Sequence, residues 1–220
     1  MSAKFFAELS RRLRRDGIES VNKEDRRLEV FLHDRPVLFV SPGNNVFLVP
    51  AESGNERAGD LYHTVTMVAD EVYEYVGAVQ NAPPLRAAGL DEKFRLLADF
   101  GGAVLAGRER ENGQGYQFVT WVWDYERIGV GHGHYYEEDF WKAKEDFAIR
   151  SGLISKAQLF TPDQLTELYR ASEYLLDESP ELEDKQMKAI QEARTKIEYT
   201  VPDLAARLEQ DHGHELGFEM

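Results

Sequence analysis

The 220-residue chain has no cysteine. That excludes disulfides, thiolate metal sites and cysteine nucleophiles. No run approaches the roughly 18 apolar residues of a membrane-spanning helix. The N-terminus, MSAKFFAELSRRLRRDG, lacks the apolar stretch of a secretory leader. The expectation is a soluble, cytoplasmic protein with no membrane partner. Basic residues are also scarce. Lys and Arg number 26 against 40 Asp and Glu, for a net charge of −14. A general phosphate-binding surface needs clustered cations, so direct binding of duplex nucleic acid is not expected.

Several catalytic signatures are missing as well. Gly129-Val-Gly131-His-Gly133 fits neither the dinucleotide fingerprint nor a P-loop, and no G-x-S-x-G or H-E-x-x-H occurs. The sequence thus carries no recognisable catalytic signature.

What is present is patterned for a folded core. Ser2 starts a helix with Phe5, Phe6, Leu9 and Leu13 on one face. Arg11, Arg12, Arg14 and Arg15 crowd its last turn, where the helix dipole favours cations, and read as a solvated end. RLEVFLH (27–33) alternates, PVLFVS (36–41) is apolar throughout, and Pro42-Gly-Asn-Asn45 turns the chain into VFLVP. With the weaker GIESVN before them, these segments predict an antiparallel meander. Residues 51–59 read as a polar loop. Asp60 then reads as the cap of a helix with Leu61, Val65, Val68, Val72, Val76 and Val79 along one stripe.

The plan recurs. FRLLADF and AVLAGRE flank Gly101-Gly102, YQFVTWVWD (116–124) alternates cleanly, and RIGVGHGHYY follows. Glu137, Glu138 and Asp139 open a helix ending near Ser151-Gly152. The remainder is helical. Thr161-Pro-Asp-Gln164 has the pattern of a capping box, Ser179-Pro180 reads as a second helix start, and Pro202 as a third. DHGHELGFEM (211–220) reads as a fraying tail. The predicted fold class is α+β: antiparallel β-meanders packed against helices, with a helical C-terminal segment. Residues 1–82 form one helix–meander–helix unit. Residues 90–220 form a second meander–helix unit plus C-terminal helices, and one continuous domain is the alternative.

His132 and His134 are the leading chemical candidates. On a regular strand, residues i and i+2 share a face, so two imidazoles could bind a divalent transition metal if a third protein ligand folded beside them. The alternative is a polar, solvent-facing strand. Glycines 129, 131 and 133 let the strand bend, or let Trp121 and Trp123 lie over its backbone. Trp121, Trp123, Tyr135 and Tyr136 form an aromatic group that could stack a base, pack in a core or meet a partner. The acids around them favour the latter two. The charge is uneven: residues 1–36 hold nine Lys/Arg against seven Asp/Glu, and residues 162–220 six against fifteen. This acidic quarter suits a solvated helical surface or a basic protein partner.

In RLLADFGGAVLAGRE, GYQFVTWVWDYERIGVGHGHYY and AKEDFAIRSGLI the chain resembles a family of proteins of unknown function carried on conjugative and other mobile elements of gut Firmicutes. The resemblance runs from the N-terminal helix to VPDL. It implies no activity and no catalytic residues. It implies a genomic setting in which accessory proteins handle DNA transfer or blunt host defences. The leading expectation is therefore a non-enzymatic protein-binding accessory factor, inhibiting a basic nucleic-acid-binding host protein through its acidic surface. The alternatives are a metal-assisted hydrolase or nuclease centred on the HGH strand, and a structural oligomer subunit.

Overall fold

The computed structural model describes residues 2–156, 159–178 and 182–212. Two compact units emerge, Met1–Ile154 and Ser155–Met220.

The first unit opens with α1 (Ser2–Arg15), whose Phe5, Phe6, Leu9 and Leu13 are fully buried. Four antiparallel strands follow in sequential order: β1 (Ser20–Lys23), β2 (Arg27–Leu32), β3 (Arg35–Val40) and β4 (Val46–Leu48). The β2–β3 loop is His33-Asp34, and both residues have positive φ. That is the conformation a two-residue hairpin needs to match strand twist. Leu28, Val30, Leu38 and Val40 turn one face of this sheet into the core.

Helix α2 (Glu56–Asn81) begins four residues before Asp60. A short 3-10 turn at Pro50–Glu52 precedes it, and Asn55 takes the extended cap conformation. Residues 51–59 are therefore partly helical rather than a loop, and Asp60 lies within the helix. Of the expected apolar stripe, Val65, Val72 and Val76 are fully buried and Val79 nearly so, Leu61 and Val68 are partly buried, and Ala69 joins them in the core.

The second meander forms its own sheet: β5 (Arg95–Phe100), β6 (Ala103–Glu109), β7 (Tyr116–Trp123) and β8 (Val130–Glu137), again in sequential order. The strict alternation of β7 divides its side chains. Tyr116 and Phe118 enter the main core with α1, α2, the first sheet and α3 (Phe140–Arg150). Val119 and Trp121 enter a second, smaller core with Leu85 and Phe94, which lie in the segment linking α2 to β5. Residues on both sides of that segment thus share the main core. At the start of α3, Asp139 is the cap, its carboxylate accepting from the Lys142 N–H at 2.9 Å. Glu137 ends β8 instead of starting the helix.

The arginines of α1 are a solvated end only in part: Arg14 and Arg15 are exposed, but Arg11 and Arg12 are drawn in. Arg12 is buried and donates to Glu71 of α2 at 2.9 Å. Arg11 is gripped by Glu8 of its own helix, and by Glu138 at 2.8 Å, while Arg15 also reaches Glu138 at 2.9 Å. Sequence spacing put these cations on the dipole's negative end, but two of their carboxylate partners, Glu71 and Glu138, come from far along the chain.

The second unit contains α4 (Pro162–Glu178), α5 (Asp184–Thr200) and α6 (Leu204–His212) around Tyr169, Ile197, Val201 and Leu204. The Thr161 box forms. Thr161 N–H donates to Gln164 Oε1 at 2.9 Å, and Gln164 N–H to the Thr161 hydroxyl at 3.2 Å. A second box, Glu183 with Gln186, starts α5. The Ser179-Pro180 start and residues 213–220, including the second HGH beyond His212, lie outside the described residues. Among the described residues no helix is long and apolar enough to cross a membrane.

Candidate functional site

The histidine strand does not keep a period of two. Thr120 of β7 pairs with His134, but Val122 pairs with Gly131. Trp121 therefore faces two residues, His132 and Gly133, in a β-bulge. His132 sits at φ +53, in the left-handed region that non-glycine residues enter at a cost. The premise that His132 and His134 share a face as i and i+2 fails at this bulge. Both side chains are exposed. Among the described residues no group of three His, Asp or Glu is placed to hold a metal ion.

The bulge brings Gly133 against a bulky neighbour. A Cβ on Gly133 would lie 2.6 Å from Trp121 Nε1. Only a glycine admits the indole this close. The indole in turn is buried, edge-on to Phe94 at 4.9 Å and to Tyr135 at 6.1 Å between ring centroids. Trp123 is half-buried. Its N–H donates to Asp99 at 3.1 Å, and Arg127 lies over its ring. Trp121 and Tyr135 are thus in contact, with Trp123 on the same side of the sheet. Tyr136 packs against the main core instead. The four rings do not share one platform.

A different constellation forms on the α3 side. Thr120 is fully buried, and its cross-strand partner His134 faces the same way. Asp146, one turn before the end of α3, collects both. The Thr120 hydroxyl donates to its carboxylate, and His134 Nδ1 lies 3.2 Å from Oδ2. Arg150, one helical turn on, donates to the Thr120 hydroxyl at 2.8 Å, to the Thr120 carbonyl at 3.0 Å and to the His132 carbonyl at 2.6 Å. The i, i+4 spacing puts Asp146 and Arg150 on one helix face. Burial, and then the nearby Asp146 carboxylate, push the Tyr136 phenol up to about 12. It therefore stays protonated at neutral pH and is no base.

This cluster does structural work. A buried hydroxyl must be hydrogen-bonded, and the carbonyl of a bulged residue loses its ladder partner. Asp146 and Arg150 satisfy both needs and dock α3 on β7 and β8. Sequence reasoning missed them, because the i, i+4 acid–base pair looks like any exposed helix pair until Thr120 is known to be buried. The expected consequence is an asymmetry. Asp146→Ala should destabilise by about 1–3 kcal/mol, since it removes a charged hydrogen-bond acceptor from a mostly buried cluster. His134→Ala, at an exposed ring, should stay within about 0.5 kcal/mol. Urea unfolding of both variants checks this. A His134→Ala loss as large as that of Asp146→Ala would make the imidazole a principal support of the cluster.

Comparison with protein-family models, curated proteins and solved structures returns no match.

Proposed function

We propose that this protein is a non-enzymatic binding factor that engages a basic protein partner through carboxylates of its C-terminal helices. One observation carries the reading. Residues 162–220 hold fifteen Asp and Glu against six Lys and Arg, and in α4 to α6 many of these acids lie exposed on helix surfaces. Rigid helices hold carboxylates at fixed spacings, as a nucleic-acid backbone holds phosphates. Such a surface can steer towards and occupy a basic groove. The absence of a catalytic signature in the sequence, and the use of Asp146 and Arg150 as structural supports, favour binding over reaction. The resemblance to proteins of mobile elements suits an accessory factor that blunts a nucleic-acid-binding host protein.

The test is capture from a host extract followed by titration with each captured protein. The partner should be basic. Its affinity should fall at least about tenfold between low and moderate ionic strength, as contacts between exposed charges are screened. Duplex DNA should compete for the same partner. Glu167→Gln, Glu192→Gln and Glu209→Gln together should weaken binding without changing stability. An affinity indifferent to salt and to these substitutions overturns the proposal.

A further inference from the structure

The outer face of the first sheet departs from the pattern of a solvated sheet. An antiparallel sheet with one face on a core and one in water alternates apolar in, polar out. The inner side obeys. Leu28, Val30, Leu38 and Val40 are fully buried, and Val46 and Leu48 pack against the same core. The outer side does not. Register sets Val21, Glu29, Phe39 and Phe47 opposite one another, in one row across all four strands. Successive side chains of a strand point to opposite faces, so this row turns away from the core, as does Phe31, two residues beyond Glu29. Among the described residues, the buried clusters include none of Val21, Phe31, Phe39 and Phe47. Val21 is 38% exposed and Phe47 44%. Strand β3, RPVLFV, thus carries the near-continuous apolar run of a strand covered on both faces. The Phe39 and Phe47 rings stack at 4.8 Å between centroids, a pairing that stabilises the sheet itself. That pairing leaves Val21 and Phe31 without a reason to face outward.

The charges of the face restrict what can cover it. Glu19 extends β1 by one residue, its carbonyl accepting from the Phe31 N–H at 3.0 Å. By the same alternation Glu19, Lys23, Arg27 and Glu29 point outward, two of each sign. Glu29 is mostly buried and pairs with both Lys23 and Arg27. The hairpin turns at the strand ends add Glu24, Asp25 and Arg26, and Asp34 and Arg35. The whole face is therefore within one charge of neutral, on a chain of net charge −14. A strongly basic or strongly acidic partner finds no net charge to meet here. A second copy finds an equally apolar, equally neutral face. A two-fold contact sets one patch against itself, and a patch holding both signs can meet its own opposite charges. On the acidic surfaces, copy would repel copy.

The area is also sufficient. Four strands about 4.8 Å apart, each about five residues long at roughly 3.3 Å per residue, make a face of about 300 Å² in projection. Side-chain relief raises this to roughly 500 Å² of accessible surface per copy. Two such faces packed about 10 Å apart bury on the order of 1,000 Å², the lower bound for a specific interface.

We infer that the outer face of the first sheet is a self-association surface, on which a second copy of this chain packs sheet to sheet as a two-fold dimer. Val21, Phe31, Phe39 and Phe47 interdigitate with the same residues of the other copy. This contact is independent of the acidic-helix reading, which uses the other unit.

The experiment is sedimentation equilibrium of the full chain from about 1 to 200 μM. A monomer–dimer equilibrium is expected, with a Kd of about 1–50 μM for an interface of this size. The Kd should hold or tighten as salt rises, because screening weakens repulsion between two acidic chains. Phe39→Thr combined with Phe47→Thr keeps β-forming residues and should raise the Kd at least about tenfold. Val21→Lys, at an exposed position of an edge strand, should do the same by setting cation against cation across the two-fold axis. Phe100→Thr is the control, since Phe100 is 56% exposed on the second sheet, and should leave the Kd unchanged. Circular dichroism confirms that each variant is folded. A chain that stays monomeric throughout overturns the inference. So does a dimer that dissociates as salt rises, one indifferent to both sets of substitutions, or one weakened equally by Phe100→Thr.

Discussion

Glu71→Ala is expected to destabilise the protein by about 3–5 kcal/mol, the cost of leaving one member of a buried ion pair without its partner. The side chains of Arg12 and Glu71 are only 9% and 12% exposed. Arg12 has little to fall back on, because its Nε and Nη1 are already enclosed without partners. Burial works against the guanidinium charge. The Glu71 carboxylate and the Tyr75 hydroxyl together more than offset this, so the pKa of Arg12 stays above its ordinary value. Remove Glu71, and the cation stays charged in a site built for a pair. The neighbouring carboxylate of Glu8 is already engaged, by the Tyr75 hydroxyl at 2.6 Å and by Arg11 at 2.7 Å. The pair as a whole need not be favourable. Arg12→Met combined with Glu71→Leu should recover most of the loss, since apolar groups of similar volume avoid the desolvation cost. Urea unfolding at constant m-value measures both variants. A Glu71→Ala loss under about 1 kcal/mol would mean that water reaches Arg12.

That pair also marks where sequence reading stops. The apolar stripe of α1 was legible because the helical period reports it directly, and the alternation of β7 separated the residues of its two faces, though not the cores they enter. The Thr161 box was legible because its two bonds join residues three apart. Arg12 was not, since nothing local distinguishes a cation at a helix end that faces water from one that meets Glu71 of another helix. His132 failed for a related reason. A bulge inserts one residue into the strand and cancels the period of two, and at it Gly133 closely approaches Trp121 on the neighbouring strand. The Asp146 and Arg150 cluster follows from that bulge, because it caps the carbonyl of His132. Sequence could name the glycine-rich strand as unusual, but the groups that explain it lie on α3 and β7.

Gly101→Ala should be comparably damaging, at about 2–5 kcal/mol, and here the sequence signal and the structure agree on the place but not on the reason. Gly101-Gly102 reads as a tight turn, and both residues do adopt positive φ, at +55 and +81. Turn geometry alone would make the two equivalent, with alanine costing about 1–2 kcal/mol at each. They are not equivalent. A Cβ on Gly101 would lie 2.1 Å from the backbone oxygen of Ser151 and 2.9 Å from its carbonyl carbon, whereas one on Gly102 meets nothing within 4 Å. Ser151 is buried at the end of α3, its N–H bonded to the Phe147 carbonyl at 2.9 Å. The obstacle is backbone and cannot swing aside, so overpacking adds about 1–3 kcal/mol to the torsional cost. Gly102→Ala is the internal control, and the difference between the two isolates the contact between hairpin and helix. The same contact bears on the site. Ser151 directly follows Arg150, which braces Thr120 and the bulge at His132, so a displaced α3 end should loosen that cluster along with the turn. Amide exchange at Gly133 and His134 should therefore rise in Gly101→Ala and not in Gly102→Ala. Equal destabilisation of the two variants, with equal exchange, would show that α3 yields freely and that the turn conformation is all the glycines supply.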